Sequence, residues 1–255
     1  MCYNIKAILE SQLKRARRQG HHEEVQELQL ELFNRGITDL YQVSGFAHPK
    51  MLIYPDKESL PIPATWGLVP HWVKDEKHED FWKKVNTLNA QGEKMFGLPS
   101  YRDSAVSKRC LIYVDGFYES HHIKGKTYPT YPFFIQRIDS EPFPLACLWS
   151  EWTNPITRIK LTSFAIVTTV GNRMLSKIHN NPKIEGPRMP VILPEELADE
   201  WINPSLSQKE VKDLLLPYPD ELLKAHTVDR IAGKESKGNV PEAEEEFIYP
   251  EFKLN

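Results

Sequence analysis

Four side chains in this 255-residue sequence have types and neighbours suited to chemistry: Cys2, Asn89, Glu119 and His179. Trimming of Met1, which a small second residue favours, gives Cys2 a free α-amine beside its thiol. The two groups have ordinary pKa values of about 7.7–8.0 and about 8.5, so each keeps a nucleophilic fraction near neutrality. A 1,2-aminothiol condenses with an aldehyde through nitrogen, and sulfur then closes a five-membered thiazolidine ring. The plain alternative is a cysteine beside a frayed terminus.

Glu119 ends the stretch Arg109-Cys110-Leu111-Ile112-Tyr113-Val114-Asp115-Gly116-Phe117-Tyr118-Glu119. An apolar strand runs to a turn at Asp115-Gly116 and delivers Phe117, Tyr118 and Glu119 at its mouth. A carboxyl flanked by aromatic rings is partly desolvated, which raises its pKa and suits it to donate a proton near neutrality. An ordinary surface glutamate remains the alternative. Asn89, in Leu88-Asn89-Ala90-Gln91-Gly92-Glu93, reads first as a turn or cap residue. Within a site its amide can accept from an amine and donate to a sugar oxygen. His179 precedes Pro187-Arg188-Met189-Pro190, where Arg188 leads into an apolar strand, so the two can form an anion site. The stretch Trp66-Gly67-Leu68-Val69-Pro70-His71-Trp72 packs a core, or presents Trp66 and Trp72 to unpaired bases at roughly 1–3 kcal/mol per stacked base.

The elements that must position these groups are legible in outline. Leu9, Leu13, Ala16 and then Val25, Leu28, Leu32 recur at helical spacing, and Gly20 and Gly36 stop two successive helices. Their arginine-rich face, Arg15, Arg17 and Arg18, is either solvated or a phosphate contact. Beyond Gly36 the apolar runs shorten to strand length, at 52–54, 65–68, 110–114, 133–136, 145–149, 163–169 and 191–193. Short helices are expected near 80–88, 174–178, 195–203 and 209–215. The architecture expected is α+β: one β-rich domain of mixed, mainly antiparallel strands with peripheral helices. It covers 1–232, including a helical insertion about 9–36, and an acidic, loosely held tail occupies 233–255.

Composition narrows the class. Hydrophobic residues make up 40% and charged residues 26%, the balance of a globular protein rather than a disordered one. No apolar run approaches the roughly 18 residues of a membrane helix, and the N-terminus lacks the order of a signal peptide. A cytoplasmic protein is expected. Cys2, Cys110 and Cys147 show no metal-ligand spacing, and the last two sit in apolar runs that suit reduced core thiols. The sequence asks for no metal or other cofactor and for no obligate protein partner. Net charge is -3, which argues against a general nucleic-acid coat. Between Arg102 and Arg137, however, Arg102, Lys108, Arg109, Lys124, Lys126 and Arg137 outnumber the acids, so a local basic groove stays open.

Taken in order, Met1-Cys2, WGLVPHW, LNAQGE, RCLIYVDGFYE, FAIVTT and IHN…RMPVIL resemble the SRAP family, the SOS response-associated peptidases or abasic-site processing proteins. The resemblance implies a β-rich single domain that binds abasic sites in single-stranded DNA and joins the sugar aldehyde to the N-terminal cysteine as a thiazolidine. It implies a crosslinking, lyase-like activity, a peptide cut that releases Met1, made by the protein's own self-processing peptidase activity or by a methionine aminopeptidase, and association with the nucleoid when DNA is bound. Carried over by motif, Cys2 is the nucleophile, Asn89 holds the sugar and the α-amine, and Glu119 is the acid/base. His179 assists beside the sugar and its 3′ phosphate, Arg188 anchors a phosphate, and Trp72 is a wedge or stacking platform in the groove, with Trp66 a further DNA-binding candidate. The chain departs from the usual motifs at Asn4 and Gln91, where the family commonly has arginine, and in the insertion 180–187 after His179. Two rival classes remain: a cysteine peptidase or amidohydrolase using Cys2 with His179 and Glu119, and a non-covalent single-strand binder.

Overall fold

The computed structural model describes residues 2–123, 130–182 and 185–252. A strand, β1 (Asn4–Ala7), leads into helices α1 (Leu9–Arg18) and α2 (His22–Asn34). Gly20 and Gly36 end them with φ of +89° and +69°, left-handed backbone that glycine adopts without strain. Strands β2 (Leu40–Ser44), β3 (Lys50–Ile53) and β4 (Ile62–Trp66) follow, then α3 (His78–Lys84), β5 (Asn89–Gln91) and α4 (Arg102–Ser107). The centre of the chain is continuous sheet: β6 (Arg109–Val114), β7 (Gly116–His122), β8 (Thr130–Arg137), β9 (Phe143–Thr153) and β10 (Lys160–Val170). Helix α5 (Arg173–Ile178), β11 (Arg188–Pro190), α6 (Glu195–Trp201), α7 (Gln208–Asp213) and β12 (Leu223–Thr227) complete it.

Two sheets form. One runs β12-β8-β7-β1-β2 and the other β3-β4-β10-β9-β6, with β5 and β11 also paired to β10. All pairs are antiparallel except β10 with β4 and with β5, so the α+β, mainly antiparallel expectation holds. The period-2 alternation of the strands builds two core layers. Cys110, Ile112, Cys147 and Ile166 face Ile5, Phe117 and Ile135 of the other sheet. Their sequence neighbours Leu111, Tyr113, Leu148 and Val167 face the opposite way, onto Leu13, Ala16, Val211 and Trp201. Cys110 and Cys147 are buried free thiols, as their apolar settings suggested.

The Asp115-Gly116 step is not the turn expected. It is the corner at which the chain leaves one sheet and joins the other. Asp115 anchors it by accepting from Ile8 N (2.9 Å) and Ser11 Oγ (2.6 Å). Gly116 is required there, because a Cβ would lie 2.5 Å from the Phe134 ring. Phe117, Tyr118 and Glu119 therefore sit within a central strand, not at a loop mouth.

Two further expectations change in three dimensions. The arginines of α1 are paired within the chain, Arg15 with Asp199, Arg17 with Glu10 and Arg18 with Glu195; Arg15 is buried, while Arg17 and Arg18 keep solvent contact, which leaves the solvated reading for those two and removes Arg15 from it. The described part of the expected tail, residues 233–252, also makes contacts with the sheet. Asn239 caps the Tyr41 amide, Lys6 pairs with Glu244, and Phe252 stacks on Tyr131 at 4.2 Å. Tyr249 is buried and Phe252 partly buried against the core, apolar contacts that oppose the ordering entropy which an acidic composition suggests would win. Of the basic cluster, Arg109 is a core residue whose guanidinium donates to the carbonyls of Trp201, Ala105, Val106 and Asn203. Lys124 and Lys126 lie outside the described residues.

Candidate active site

Strand β1 carries Cys2 into the site. It lies between β2 and β7, with Asn4 opposite Tyr118 and Ile5 opposite Phe117; the same register brings Tyr3 level with Glu119. Cys2 is wholly buried, with Sγ 3.8 Å from the Asn4 carbonyl. Burial pushes its thiol well above the ordinary value, and the Glu119 carboxylate adds to the effect. Cys2 is therefore a neutral thiol here, and it needs a proton acceptor during reaction.

Asn89 reaches Cys2 from the other sheet. The short strand β5 runs parallel to β10, with Asn89 opposite Ile166, and Asn89 Nδ2 donates to the Cys2 carbonyl at 2.8 Å. Its own carbonyl accepts from Tyr101 Oη at 3.0 Å. Asn89 Oδ1 is buried and has no hydrogen-bond partner among the described residues. An unmet buried acceptor costs about 1–3 kcal/mol, so this oxygen is positioned for a donor that a ligand would bring.

Glu119 and His179 form the second half. Glu119 is 7% exposed, and burial lifts its carboxyl to about 7, against a hydrogen bond from the Ser120 amide that favours the anion. His179 follows the last turn of α5. Burial lowers it to about 4, so at neutral pH its 3.8 Å approach to Glu119 Oε2 is that of a neutral imidazole, not a salt bridge. His179 Nδ1 lies 3.1 Å from the Arg188 amide N and 2.9 Å from the Arg188 carbonyl O. Accepting from the amide leaves Nε2–H facing the glutamate; donating to the carbonyl leaves Nε2 as an acceptor. A cavity of about 190 Å³ opens on Glu119, His179, Tyr3, His122 and Asn181.

The structure thus joins Cys2 to Asn89 by a hydrogen bond and sets Glu119 against His179. The other named residues fare differently. Trp66 has no exposed surface; its Nε1 donates to the Leu88 carbonyl and its ring stacks on Phe164. Its face is used by the core, which corrects its assignment to DNA stacking. Trp72 is 42% exposed and keeps a free face, held from behind by Phe81. The Arg188 guanidinium is already engaged, in a bidentate pair with Glu93 at 3.0 and 2.8 Å and a bond to the Thr168 carbonyl. What Arg188 offers the site directly is the backbone that orients His179. Of the insertion 180–187, residues 183–184 lie outside the described residues, while Asn180 bonds the backbone of His122.

Sequence reasoning missed Tyr3, His122, Asn181 and Ile231, all on the cavity wall. Tyr3 and His122 flank Cys2 and Glu119 within three residues, which was the available signal. Asn181 and Ile231 arrive from distant segments with no motif of their own. Among the described residues no cluster of His, Cys, Asp or Glu could hold a metal ion, and no helix is long and apolar enough to cross a membrane.

The family model described as SOS response associated peptidase (SRAP) matches residues 11–234. The chain belongs to the SRAP family. It is 33% identical over 224 residues to the abasic site processing protein YoqW of Bacillus subtilis, covering 84% of this chain and 92% of that one. It is 35% identical over 167 residues to the abasic site processing protein YoaM of the same organism, covering 65% and 67%. A crystal structure of a protein from Bacteroides thetaiotaomicron superposes with a TM-score of 0.82 at 28% identity, covering 97% of this chain and all of that one. Asn89, Glu119, His179 and Arg188 lie inside the SRAP match. Cys2 precedes it and is tied to the site by its bond to Asn89.

Proposed function

We propose that this SRAP chain processes abasic sites, binding them in single-stranded DNA and capturing the sugar as a thiazolidine on Cys2 once hydrolysis has removed Met1. The observation that carries this reading is the pairing of Cys2 with Asn89, beside a buried glutamic acid whose pKa of about 7 lets it both give and take protons at neutrality. An abasic sugar is mostly a closed hemiacetal. Protonated Glu119 donates to the ring oxygen as the C1′ hydroxyl loses its proton, and the aldehyde opens. The Cys2 amine adds to C1′ and water leaves as the imine forms. The Cys2 thiol then adds across the C=N bond, sulfur to carbon and proton to nitrogen. Asn89 holds the Cys2 carbonyl throughout, and its open Oδ1 accepts from the amine or from a sugar hydroxyl. Neutral His179 is a relay partner for Glu119. Arg188 serves as a phosphate anchor only if it leaves Glu93; Trp72 is the surface for a flanking base.

The test incubates Met1-free protein with abasic, borohydride-reduced abasic and intact oligonucleotides, followed by denaturing gels and mass spectrometry. The expected product forms only with the unreduced abasic strand and weighs protein plus DNA less one water. A protein whose Met1 is blocked by an N-terminal tag gives none, because an amide nitrogen cannot form an imine. Undiminished adduct from the blocked protein refutes the aminothiol chemistry and favours a thiol-only nucleophile of the peptidase kind.

A further inference from the structure

A second and larger hollow, about 560 Å³, adjoins the site cavity and shares Asn4, Ser120 and Ile231 with it as lining. Its far wall is the segment after β12, and it carries two cations, Arg230 and Lys234. Arg230 is held in place rather than free to wander. Its Nη1 donates to the Thr130 carbonyl and its guanidinium carbon lies 5.5 Å over the Tyr249 ring. Its Nη2 makes no hydrogen bond among the described residues. Lys234 is exposed and has no ion pair among the described residues. One acid, Glu235, shares the wall at 3.9 Å from Arg230 Nε, but its side chain is 84% exposed, so solvent screens most of its field. The opposite wall adds a neutral donor: Gln42 Nε2 bonds Asn4 Oδ1 at 3.1 Å, which leaves the Asn4 amide N–H groups without a partner among the described residues.

We infer that this second hollow is an anion subsite that takes a phosphodiester and nucleotide of the strand next to the captured sugar, with Arg230 and Lys234 as its phosphate ligands. The inference rests on the abasic-site reading above. A sugar seated at Glu119 keeps its chain on both sides, and the backbone must leave through an opening. This hollow is adjacent, it has the size of a small-ligand site, and its cations exceed its acids. Preformed guanidinium and amide donors match phosphate oxygens. The basic groups that Asn4 and Gln91 do not supply would then come from the C-terminal segment.

The test is the salt dependence of non-covalent binding, measured in a Cys2→Ala background with an intact single-stranded oligonucleotide, where no capture intervenes. For single strands the slope of log K against log salt changes by about 0.7 for each phosphate the protein ceases to neutralise. Arg230→Gln with Lys234→Gln should flatten the slope by about 0.7 if both cations share one phosphate and by about 1.4 if they hold two. Affinity should fall several-fold at low salt and converge with the parent at high salt. Lys234→Glu, whose side chain is exposed and packs against nothing in the core, should shift the slope the same way and guards against loss of fold in the double variant. An unchanged slope in Lys234→Glu and in a folded double variant overturns the subsite. So does a uniform affinity loss at every salt concentration, which is the mark of a structural role. Adduct formation by Cys2-intact protein reports separately: its absence with a flattened slope removes the capture reading alone, and its presence with an unchanged slope removes the subsite alone.

Discussion

Glu119→Gln should make the protein more stable as the pH rises while abolishing capture. The wild-type carboxyl is moved from 4.5 to about 7 by burial, and at about 1.4 kcal/mol per pH unit that separation is worth about 3 kcal/mol. The sign follows from the direction. A raised carboxyl contributes its full stability below pH 4.5, where it is neutral in both folded and unfolded chains, and loses it as pH climbs through 7. Glutamine has nearly the same shape and never ionises. The two proteins should therefore melt close together at pH 5 and diverge by pH 8.5, with the variant ahead. For a chain of this size 1 kcal/mol moves Tm by about 2–4 °C, so the gap should approach about 6–12 °C. His179 acts in the opposite window: its pKa, lowered to about 4, gives stability present above 6.5 and lost as pH falls toward 4. Both proteins share that loss, so it cancels in their difference. Thermal unfolding by circular dichroism at the two pH values reads the result. A gap equal at pH 5 and 8.5 would show that Glu119 is not a buried acid with a raised pKa, and the proton-donor role would fall with it.

Asn89→Ala removes the 2.8 Å bond to the Cys2 carbonyl; one such bond is worth about 1 kcal/mol, so single-turnover capture should slow by at least several-fold with little change in Kd for intact DNA. Gly116→Ala drives a Cβ to 2.5 Å from Phe134 and 2.6 Å from the Ile135 carbonyl; denaturant titration should show about 1–3 kcal/mol of destabilisation, because the rigid corner cannot give way. Arg109→Met leaves the carbonyls of Ala105, Val106, Trp201 and Asn203 without their donor; a loss of roughly 3 kcal/mol or more is expected, read by the same titration.

How much of this was legible beforehand depends on how local each cause is. Strand-length apolar runs at 110–114 and 163–169 marked two strands buried on both faces, and helical spacing with Gly20 and Gly36 determined two helices and their ends. The polar residues Cys2, Asn89, Glu119 and His179 stood out by type against apolar neighbours, and their motifs carried the family. Each of these signals spans fewer than about twenty residues and acts through backbone propensity or side-chain period. What the tertiary structure decided is who meets whom. Trp66 and Trp72 share a motif, yet one ring is sealed against Phe164 and the other faces solvent, because only Trp66 lies on a strand between two layers. Arg188 reads as a free cation until Glu93, 95 residues away, takes its fork. Glu119 becomes a neutral-pH acid because Gly116 turns its strand into the second sheet and Tyr3 comes level with it. Arg230 reaches the site only because β12 pairs with β8. These are meetings between segments far apart in the chain, set by strand order and register, and local periodicity is the same whichever partner a strand finds.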